Sequence, residues 1–440
     1  MKKPTKPEQT RRLTGISLFA SSGVGDLSLR AVGVEVLVAN EYLSDRAELF
    51  RSNHPECEMI QGDIRELSDT VVATAKRRLG RRRLDVLFAT PPCQGMSKNG
   101  RGKLLRGVRD GMRESLDPRN QLATFVPPII NQLKPKMVVF ENVPEMDGTL
   151  VEDSDGSLIE LLDLLCNELP DYIATWRVIE FADYGVPQRR QRLITFFLRK
   201  DVARARNIRS ADDLANAVFP EATHSNRPTL LQEPWICVND VIGDLPPLDA
   251  RCKETAESDI EFHHVPLLDE KKYWWVSNTP PGASAFDNQC IERKCRSKRN
   301  ERHGSSSASG INQANKDTPI YCIDCGALLP RPTVEQNGQL RVMKGFTSAY
   351  KRMRGDLPAA ALTRNLSYVS SDQKVHPTQH RVLSLLEAMR LHTITDFRWV
   401  WKLPNGKPVS DKLIRETIGE SIPPRGLKIV LNYALTNTLR

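Results

Sequence analysis

The sequence predicts an α/β protein in which a mostly parallel sheet is interrupted by a smaller inserted domain. Short apolar runs alternate with helical spacing early in the chain, at residues 16–19, 34–39, 84–88 and 137–140. This alternation is typical of parallel strands joined by helices. Beyond residue 200 prolines multiply and the periodicity weakens, whereas helical spacing returns at residues 427–435. We therefore expect the C-terminal segment to rejoin the sheet.

The first strand leads into a glycine-containing turn at residues 20–26 and then into a short helix. A strand, a glycine turn and a helix start allow a nucleotide-like ligand to approach the backbone. The second strand ends at Glu41, whose carboxylate can accept hydrogen bonds from both hydroxyls of a ribose. The alternative for Glu41 is an acid that stabilises the N-terminus of the next helix.

Cys93 lies just beyond the strand at residues 84–88 and directly follows Pro91 and Pro92. The two prolines restrict the backbone, so they would hold the thiol at the strand end, where open α/β sheets bind ligands. The strand at 137–140 delivers Glu141 to the same edge. Cys93 is thus a candidate nucleophile, and the alternative is a small buried apolar residue, the usual state of a free cysteine.

Three short motifs occur in order along the chain. Residues 91–95 read Pro-Pro-Cys-Gln-Gly, residues 141–143 read Glu-Asn-Val, and residues 188–192 read Gln-Arg-Arg-Gln-Arg. They resemble the catalytic loop, the second catalytic signature and the Q-x-R-x-R element of the DNA (cytosine-5)-methyltransferases, here of the prokaryotic restriction-modification or phage-defence type. Three such motifs in order are a far more specific signal than one.

The resemblance covers about residues 14–200 and 375–435 and implies a Rossmann-like S-adenosylmethionine-dependent methyltransferase sheet. It divides the chain into a mobile basic tail (1–13), a catalytic and cofactor-binding domain (14–205), a target-recognition domain (206–374) and a return to the catalytic domain (375–440). The implied activity is methyl transfer to carbon 5 of a flipped-out cytosine in a specific sequence of double-stranded DNA.

The resemblance also implies which residues bind S-adenosylmethionine. They are Phe19, Ser22, Gly23, Gly25, Glu41, Asp63, Ile64, Pro91 and Ser421. In the family's pattern Glu41 would bind the ribose, and Asp63 would lie near the adenine amino group. The chain departs from the pattern at Ser21 and Val24, where glycines are usual, and at Glu420, where asparagine is usual.

The implied catalytic residues are Cys93, Glu141, Arg192 and Arg190. Cys93 would add to carbon 6 of the base, and Glu141 would donate a proton or hydrogen bond to ring nitrogen 3. Arg192 would bind the cytosine carbonyl oxygen, and Arg190 would hold a nearby phosphate or the closed loop. For both arginines the alternative is a structural ion pair.

The composition fits a polyanionic partner. The net charge is +9, and basic residues cluster at 76–83, 101–109 and 293–302. Lysine and arginine on phosphates release counterions, so such clusters favour DNA binding. No apolar run is long enough to span a bilayer and no signal peptide follows Met1, so we expect a cytoplasmic protein without a membrane partner. Restriction or phage-defence proteins are the expected protein partners.

Two cysteine pairs in the middle region predict a structural zinc site. Cys290 and Cys295 form one pair, and Cys322 and Cys325 form the other, with Gly326 suited to a tight turn after the second. Four thiolates at such spacing can surround one zinc ion. His303 is a substitute ligand, and unligated thiols in a poorly structured insertion are the alternative.

Two other functions remain open from the sequence. One is a cytosine-5 methyltransferase that acts on transfer RNA with the same fold, and the other is a DNA- or cofactor-binding module without catalysis. A P-loop or dinucleotide-reducing enzyme is disfavoured, because neither G-x-x-x-x-G-K-[ST] nor G-x-G-x-x-G occurs. The DNA site and the oligomeric state are not specified by the sequence.

Overall fold

The computed structural model describes residues 12–92, 119–153, 155–303, 318–343 and 348–440. Its strands are β1 (Leu13–Leu18), β2 (Val34–Glu41), β3 (Glu58–Gln61), β4 (Val86–Ala89), β5 (Met137–Asn142), β6 (Leu150–Glu152), β7 (Leu158–Glu160), β8 (Tyr172–Glu180), β9 (Gln188–Arg189), β10 (Gln191–Arg199), β11 (His224–Ser225), β12 (Glu233–Pro234), β13 (Thr333–Gln336), β14 (Gln339–Val342) and β15 (Ala359–Ala360). Its helices are α1 (Val24–Ala31), α2 (Ser44–Asn53), α3 (Ile64–Leu79), α4 (Val126–Leu133), α5 (Leu161–Glu168), α6 (Lys200–Ala205), α7 (Ala211–Val218), α8 (Val238–Ile242), α9 (Lys253–Ala256), α10 (Glu270–Ser277), α11 (Leu385–Leu391), α12 (Asp411–Glu420) and α13 (Pro424–Thr438). None of these helices combines the length and the apolar character needed to cross a membrane.

A seven-stranded sheet in the order β3-β2-β1-β4-β5-β10-β8 forms the centre of the fold. Strands β1 to β5 pair in parallel, whereas β10 runs antiparallel to β5 and to β8. The predicted α/β class and its mostly parallel sheet are therefore confirmed. The expected strands at 16–19, 34–39, 84–88 and 137–140 are β1, β2, β4 and β5, with ends shifted by a few residues.

Helices cover both faces of this sheet. On one face α3, α4 and α5 pack against β1, β4 and β5 through one apolar cluster. On the other face α1, α7 and α13 pack against the same strands and β10 through a second cluster. Every residue of β4 and β5 is buried, which explains why these strands read as continuous apolar runs.

The catalytic part of the chain extends past the predicted boundary at residue 206. Ser210 caps α7 in a capping box with Asp213. Leu214 and Val218 then pack in the same cluster as strand β10 and helix α13. Residues up to Phe219 therefore belong with the sheet, because their apolar side chains are covered there and not in the middle region.

In the middle region, the described residues between 220 and 382 form little regular structure. Its own apolar cluster includes Trp275, Phe286 and Tyr350, whose rings meet edge to face. Strand β15 pairs in parallel with β9, so the end of this region is joined to the Q-x-R-x-R segment of the catalytic part.

The chain returns to the catalytic part through α11, α12 and α13. Helix α11 begins at Leu385, because Ser384 and Glu387 form a capping box that fixes its N-terminus there. Helix α13 begins at Pro424 and packs on α1 and α7. The expected return of the C-terminal segment to the sheet is thus confirmed.

Candidate active site

A cavity of about 830 Å³ opens at the carboxyl edge of the parallel strands. The strand ends of β1 to β5 all contribute to it, since parallel strands bring their carboxyl ends to one edge. The predicted site residues that line it are Phe19, Gly25, Glu41, Asp63, Ile64, Pro91, Glu141, Arg192 and Ser421. Its volume suits a ligand of nucleoside size.

Ser22 and Gly23 were expected to contact the cofactor but shape the turn beneath the cavity instead. Gly23 has φ +86°, and a Cβ there would lie 2.6 Å from ring atoms of His54. The His54 ring bonds the Gly23 carbonyl at 2.8 Å through Nε2. Burial lowers the pKa of His54 to about 4, so the neutral ring donates this bond. Ser22 is buried against Thr417, with 2.9 Å between their hydroxyl oxygens.

Glu41 is held in a fixed orientation at the end of β2. Its two carboxylate oxygens accept the backbone N–H groups of Ser21 and Leu43, each at 2.8 Å. Burial raises the pKa of Glu41, and the two N–H groups oppose this shift. Asp63 caps α3 and pairs with Arg65, whose side-chain hydrogen bonds lower the pKa of Asp63. Two carboxylates with different environments therefore face the same cavity.

Glu141 and Arg192 form an ion pair at the opposite end of the cavity, with 2.9 Å between Oε1 and Nε. The antiparallel register of β5 and β10 produces this contact, since Glu141 lies opposite Ile194, two residues from Arg192. Burial raises the pKa of Glu141, whereas the charge of Arg192 opposes the shift. A raised pKa makes a carboxyl a better hydrogen-bond partner for a proton acceptor, which is the property that a general acid needs.

Asn142 fixes the two central strand ends to each other. Its Nδ2 donates to the carbonyl of Pro91 at 3.1 Å, so the segment before the predicted nucleophile is anchored beside Glu141. Cys93 itself, with the basic cluster at 101–109, lies outside the described residues. Its role stays a prediction.

Arg190 does not occupy the phosphate-binding position that was expected. Its side chain is buried, and it donates to the carbonyls of Leu362 and Gly419 at 2.9 and 3.0 Å. In the described part of the chain it joins the end of the middle region to the last turn of α12. The motif placed Arg190 near the site, but only the fold shows that its guanidinium points into the protein.

Two cavity residues that pair with Glu420, Arg46 and Arg364, were missed by sequence reasoning. Arg46 is buried and pairs with Glu416 and Glu420 at 2.9 and 3.3 Å. Arg364 also lines the cavity and lies 3.5 Å from Glu420. The departure from asparagine at Glu420 was the available signal, because an added acid at a cavity wall needs nearby cations.

The four predicted cysteine ligands converge. Cys290 and Cys325 are 3.7 Å apart at sulfur, as are Cys295 and Cys322, and all four sulfurs lie within 4.8 Å of one another. Four sulfurs about 2.3 Å from a tetrahedral zinc ion would be separated by ~3.8 Å. Gly326 has φ +70° and closes the second turn, as expected.

His303 was the proposed substitute ligand and is not part of this cluster. It stacks on Phe286 with ring centroids 4.6 Å apart, and its Nδ1 bonds the Thr318 hydroxyl at 2.8 Å. Because four thiols already satisfy a tetrahedral site, the histidine has a packing role instead.

The comparisons with known proteins agree with this geometry. A family model of C-5 cytosine-specific DNA methylases matches residues 13–434. Type II methyltransferase M1.HgaI of Avibacterium volantium is 30% identical over 94% of this chain and 96% of its own length. Type II methyltransferase M.HhaI of Haemophilus parahaemolyticus is 29% identical over 45% of this chain and 52% of its own length.

Solved structures share the fold at low identity. A prophage-encoded E. coli protein described as a DNA modification methyltransferase has a TM-score of 0.56 and 17% identity, covering 97% of this chain and 99% of its own. Spodoptera frugiperda DNMT2, as a triple variant, has a TM-score of 0.52 and 13% identity, with coverage of 96% and 99%. The chain therefore belongs to the C-5 cytosine-specific DNA methylases, enzymes that transfer a methyl group from S-adenosylmethionine to carbon 5 of cytosine in DNA.

Proposed function

We propose that Cys93 is the nucleophile of this methyl transfer, that Glu141 is its acid and that Arg192 holds the cytosine carbonyl oxygen. The Glu141–Arg192 ion pair in the cavity wall is the observation that carries these roles. S-adenosylmethionine supplies the electrophilic methyl group when it is bound.

Covalent addition explains why a thiol is needed. Carbon 5 of cytosine is a weak nucleophile, and addition of the Cys93 thiolate to carbon 6 shifts ring electrons toward carbon 5 and nitrogen 3. Glu141 stabilises nitrogen 3 by donating its proton, while Arg192 neutralises charge at the carbonyl oxygen. After carbon 5 has taken the methyl group, its proton leaves to a base. The S–C6 bond then breaks to return the thiolate, and nitrogen 3 returns its proton to Glu141.

The cofactor end of the cavity has the polar groups that an adenosyl ligand requires. Glu41 retains free lone pairs on both carboxylate oxygens and is assigned to the ribose hydroxyls. Asp63 is assigned to the adenine amino group, and Ser421 lies at the far wall. Gly25 lines the cavity at the start of α1, where a Cβ would lie 3.3 Å from the ring of Phe88.

The middle region is assigned to target recognition, with a bound zinc ion as its structural centre. The sulfur positions of Cys290, Cys295, Cys322 and Cys325 support the zinc site. Exposed basic residues surround the first pair and include Arg293, Lys294, Arg296, Lys298 and Arg302. Such a surface suits the phosphates of a duplex whose target base must be flipped at a cost of about a few kcal/mol.

The biological partner is assigned as a restriction or phage-defence system. Support comes from relatives named as type II methyltransferases, at 30% identity for two of them. Bisulfite sequencing of DNA from cells that express this chain should show one short methylated sequence. Scattered methylation without a common sequence would contradict a partner nuclease that reads the same site.

Replacement of the nucleophile tests the proposed mechanism. Cys93→Ala should abolish methyl transfer from tritiated S-adenosylmethionine to DNA, because the enamine cannot form without the thiolate. Binding of S-adenosylhomocysteine should remain nearly unchanged, since the thiol acts on the base. Cys166→Ala, at a half-buried free cysteine on α5, is the matched control. Methylation that persists in Cys93→Ala would overturn the covalent mechanism.

A further inference from the structure

A segment of the middle region forms part of the cofactor cavity wall. Thr363, Arg364 and Asn365 line the cavity beside residues 419–422, which form the end of α12 and the turn that follows it. The two segments approach so closely that a Cβ on Gly419 would lie 2.2 Å from the backbone nitrogen of Arg364. The part of the chain assigned to DNA reading therefore contacts the part that holds the cofactor.

A continuous chain of hydrogen bonds joins these segments through the interior. The Leu362 N–H donates to Gln188 Oε1 at 3.0 Å, and Gln188 Nε2 donates to His392 Nδ1 at 3.1 Å. His392 Nε2 then donates to the Ser421 hydroxyl at 2.9 Å. The Ser421 hydroxyl donates to the Ile418 carbonyl at 3.4 Å, which completes the chain.

Each donor and acceptor in this chain has one consistent direction. Gln188 can accept from Leu362 and donate to His392 only in one amide orientation, and His392 must be neutral with its proton on Nε2. Burial holds the pKa of His392 well below its usual range, in agreement with the neutral ring. Gln188 and His392 are both fully buried, so water cannot replace either bond.

Arg190 forms a second connection along the same route. Its guanidinium donates to the carbonyls of Leu362 and Gly419. Leu362 begins the hydrogen-bond chain and Gly419 directly follows its last residue, Ile418, so Arg190 links the same two segments directly. A shift of residues 359–365 would therefore break or strain several buried bonds at once. A buried polar network of this kind has discrete arrangements and does not deform gradually.

We propose that Gln188 and His392 are positioning residues. They couple DNA binding by the middle region to cofactor binding at residues 419–421, at the end of α12. DNA that orders residues 359–365 would also order the cavity wall, so each ligand would tighten the binding of the other. The coupling is reciprocal by thermodynamic necessity. This inference rests on the proposed DNA-binding role of the middle region.

The test measures the dissociation constant of S-adenosylhomocysteine with and without saturating unmethylated plasmid DNA. In the unmodified protein DNA should tighten this binding by about tenfold, within the usual range of coupling. His392→Leu removes both ring hydrogen bonds but still fills the space of the ring. The ratio of the dissociation constants without and with DNA should then fall close to one. Gln188→Leu interrupts the chain one residue earlier and should have the same effect.

A matched control separates coupling from stability. His263 is also fully buried and bonds Ser384 and the Pro246 carbonyl, but it does not line the cavity. His263→Leu should lower the melting temperature as His392→Leu does, yet leave the ratio unchanged. A ratio of one in the unmodified protein, or an unchanged ratio in both His392→Leu and Gln188→Leu, overturns the proposal. The DNA affinity itself, measured in the same titrations, tests the DNA-binding role of the middle region independently.

Discussion

The catalytic sheet and the middle region are held together by different means. In the sheet, strand carbonyls are satisfied by neighbouring strands, and apolar side chains fill both faces. In the middle region, buried cationic side chains donate hydrogen bonds to backbone carbonyls. Arg331, Arg352 and Lys374 are each at most 2% exposed and donate to backbone carbonyls. An irregular backbone leaves some of its buried carbonyls without a backbone partner, so these carbonyls need side-chain donors.

Arg352 shows the consequence most clearly. Its guanidinium donates to the carbonyls of Val276, Thr279 and His376 at 2.6 to 2.7 Å, and also to that of Gln379. Burial lowers its pKa to about 10, so the side chain remains charged at neutral pH. The difference teaches that a region without a sheet can still have one defined structure, provided that a few long side chains cross-link its loops.

The largest expected effect lies in the catalytic part. Glu141→Gln removes the proton that stabilises nitrogen 3 and should reduce the methyl-transfer rate by about 10²–10⁴-fold, the usual scale for a positioned acid. The melting temperature should change little, because the amide can still accept a hydrogen bond from Arg192. Single-turnover kinetics at saturating DNA measures the rate, with the exposed Glu152→Gln as control. A rate within twofold of the unmodified protein would remove Glu141 from the chemistry.

Loss of the cysteine cluster should impair DNA binding but not cofactor binding. Cys322→Ser/Cys325→Ser leaves only two thiolates for the metal, so zinc measured by elemental analysis should fall from about one equivalent to contamination levels. DNA affinity should fall, because the middle region loses the metal that stabilises its fold, while binding of S-adenosylhomocysteine should persist. Cys166→Ser, in the catalytic part, should change neither. Less than about a tenth of an equivalent of zinc in unmodified protein purified without added metal would exclude the site.

Removing a buried cation should destabilise the middle region about as strongly as a core truncation destabilises the sheet. Arg352→Met leaves several buried carbonyls without donors and should lower the free energy of unfolding by about 3–5 kcal/mol. Leu87→Ala in β4 should cost about 2–5 kcal/mol through the cavity that it creates. Urea titrations followed by tryptophan fluorescence report both, since Trp274 and Trp275 lie in the middle region and Trp176 lies in β8 of the sheet. A cost below about 1 kcal/mol for Arg352→Met would show that water replaces the guanidinium.

The sequence predicted the sheet well because its signals are local. The apolar runs gave β1, β2, β4 and β5, and the motifs brought Glu141 and Arg192 to one cavity. The orientation of Arg190 could not be predicted, since it depends on carbonyls at residues 362 and 419 that are distant in sequence.

The smallest effect concerns the surface charge that distinguishes the two regions. Lys294 and Lys298 are exposed beside the cysteine cluster. Lys76, in the last turn of α3, and Arg81, between α3 and β4, are exposed at the amino edge of the sheet. That edge lies opposite the cavity, because the cavity is formed by the carboxyl ends of the strands. Replacement of Lys294 and Lys298 by alanine should flatten the salt dependence of DNA affinity.

The expected change is about one unit of log-log slope for each lost phosphate contact. Lys76→Ala/Arg81→Ala removes the same net charge from the chain but should leave the slope unchanged, because a duplex at the cavity cannot reach the opposite edge. Fluorescence anisotropy with a labelled duplex over a range of salt concentrations measures both slopes. Equal slopes for the two double variants would mean that net charge alone attracts DNA, and that the basic surface around the cysteine cluster does not contact the phosphates.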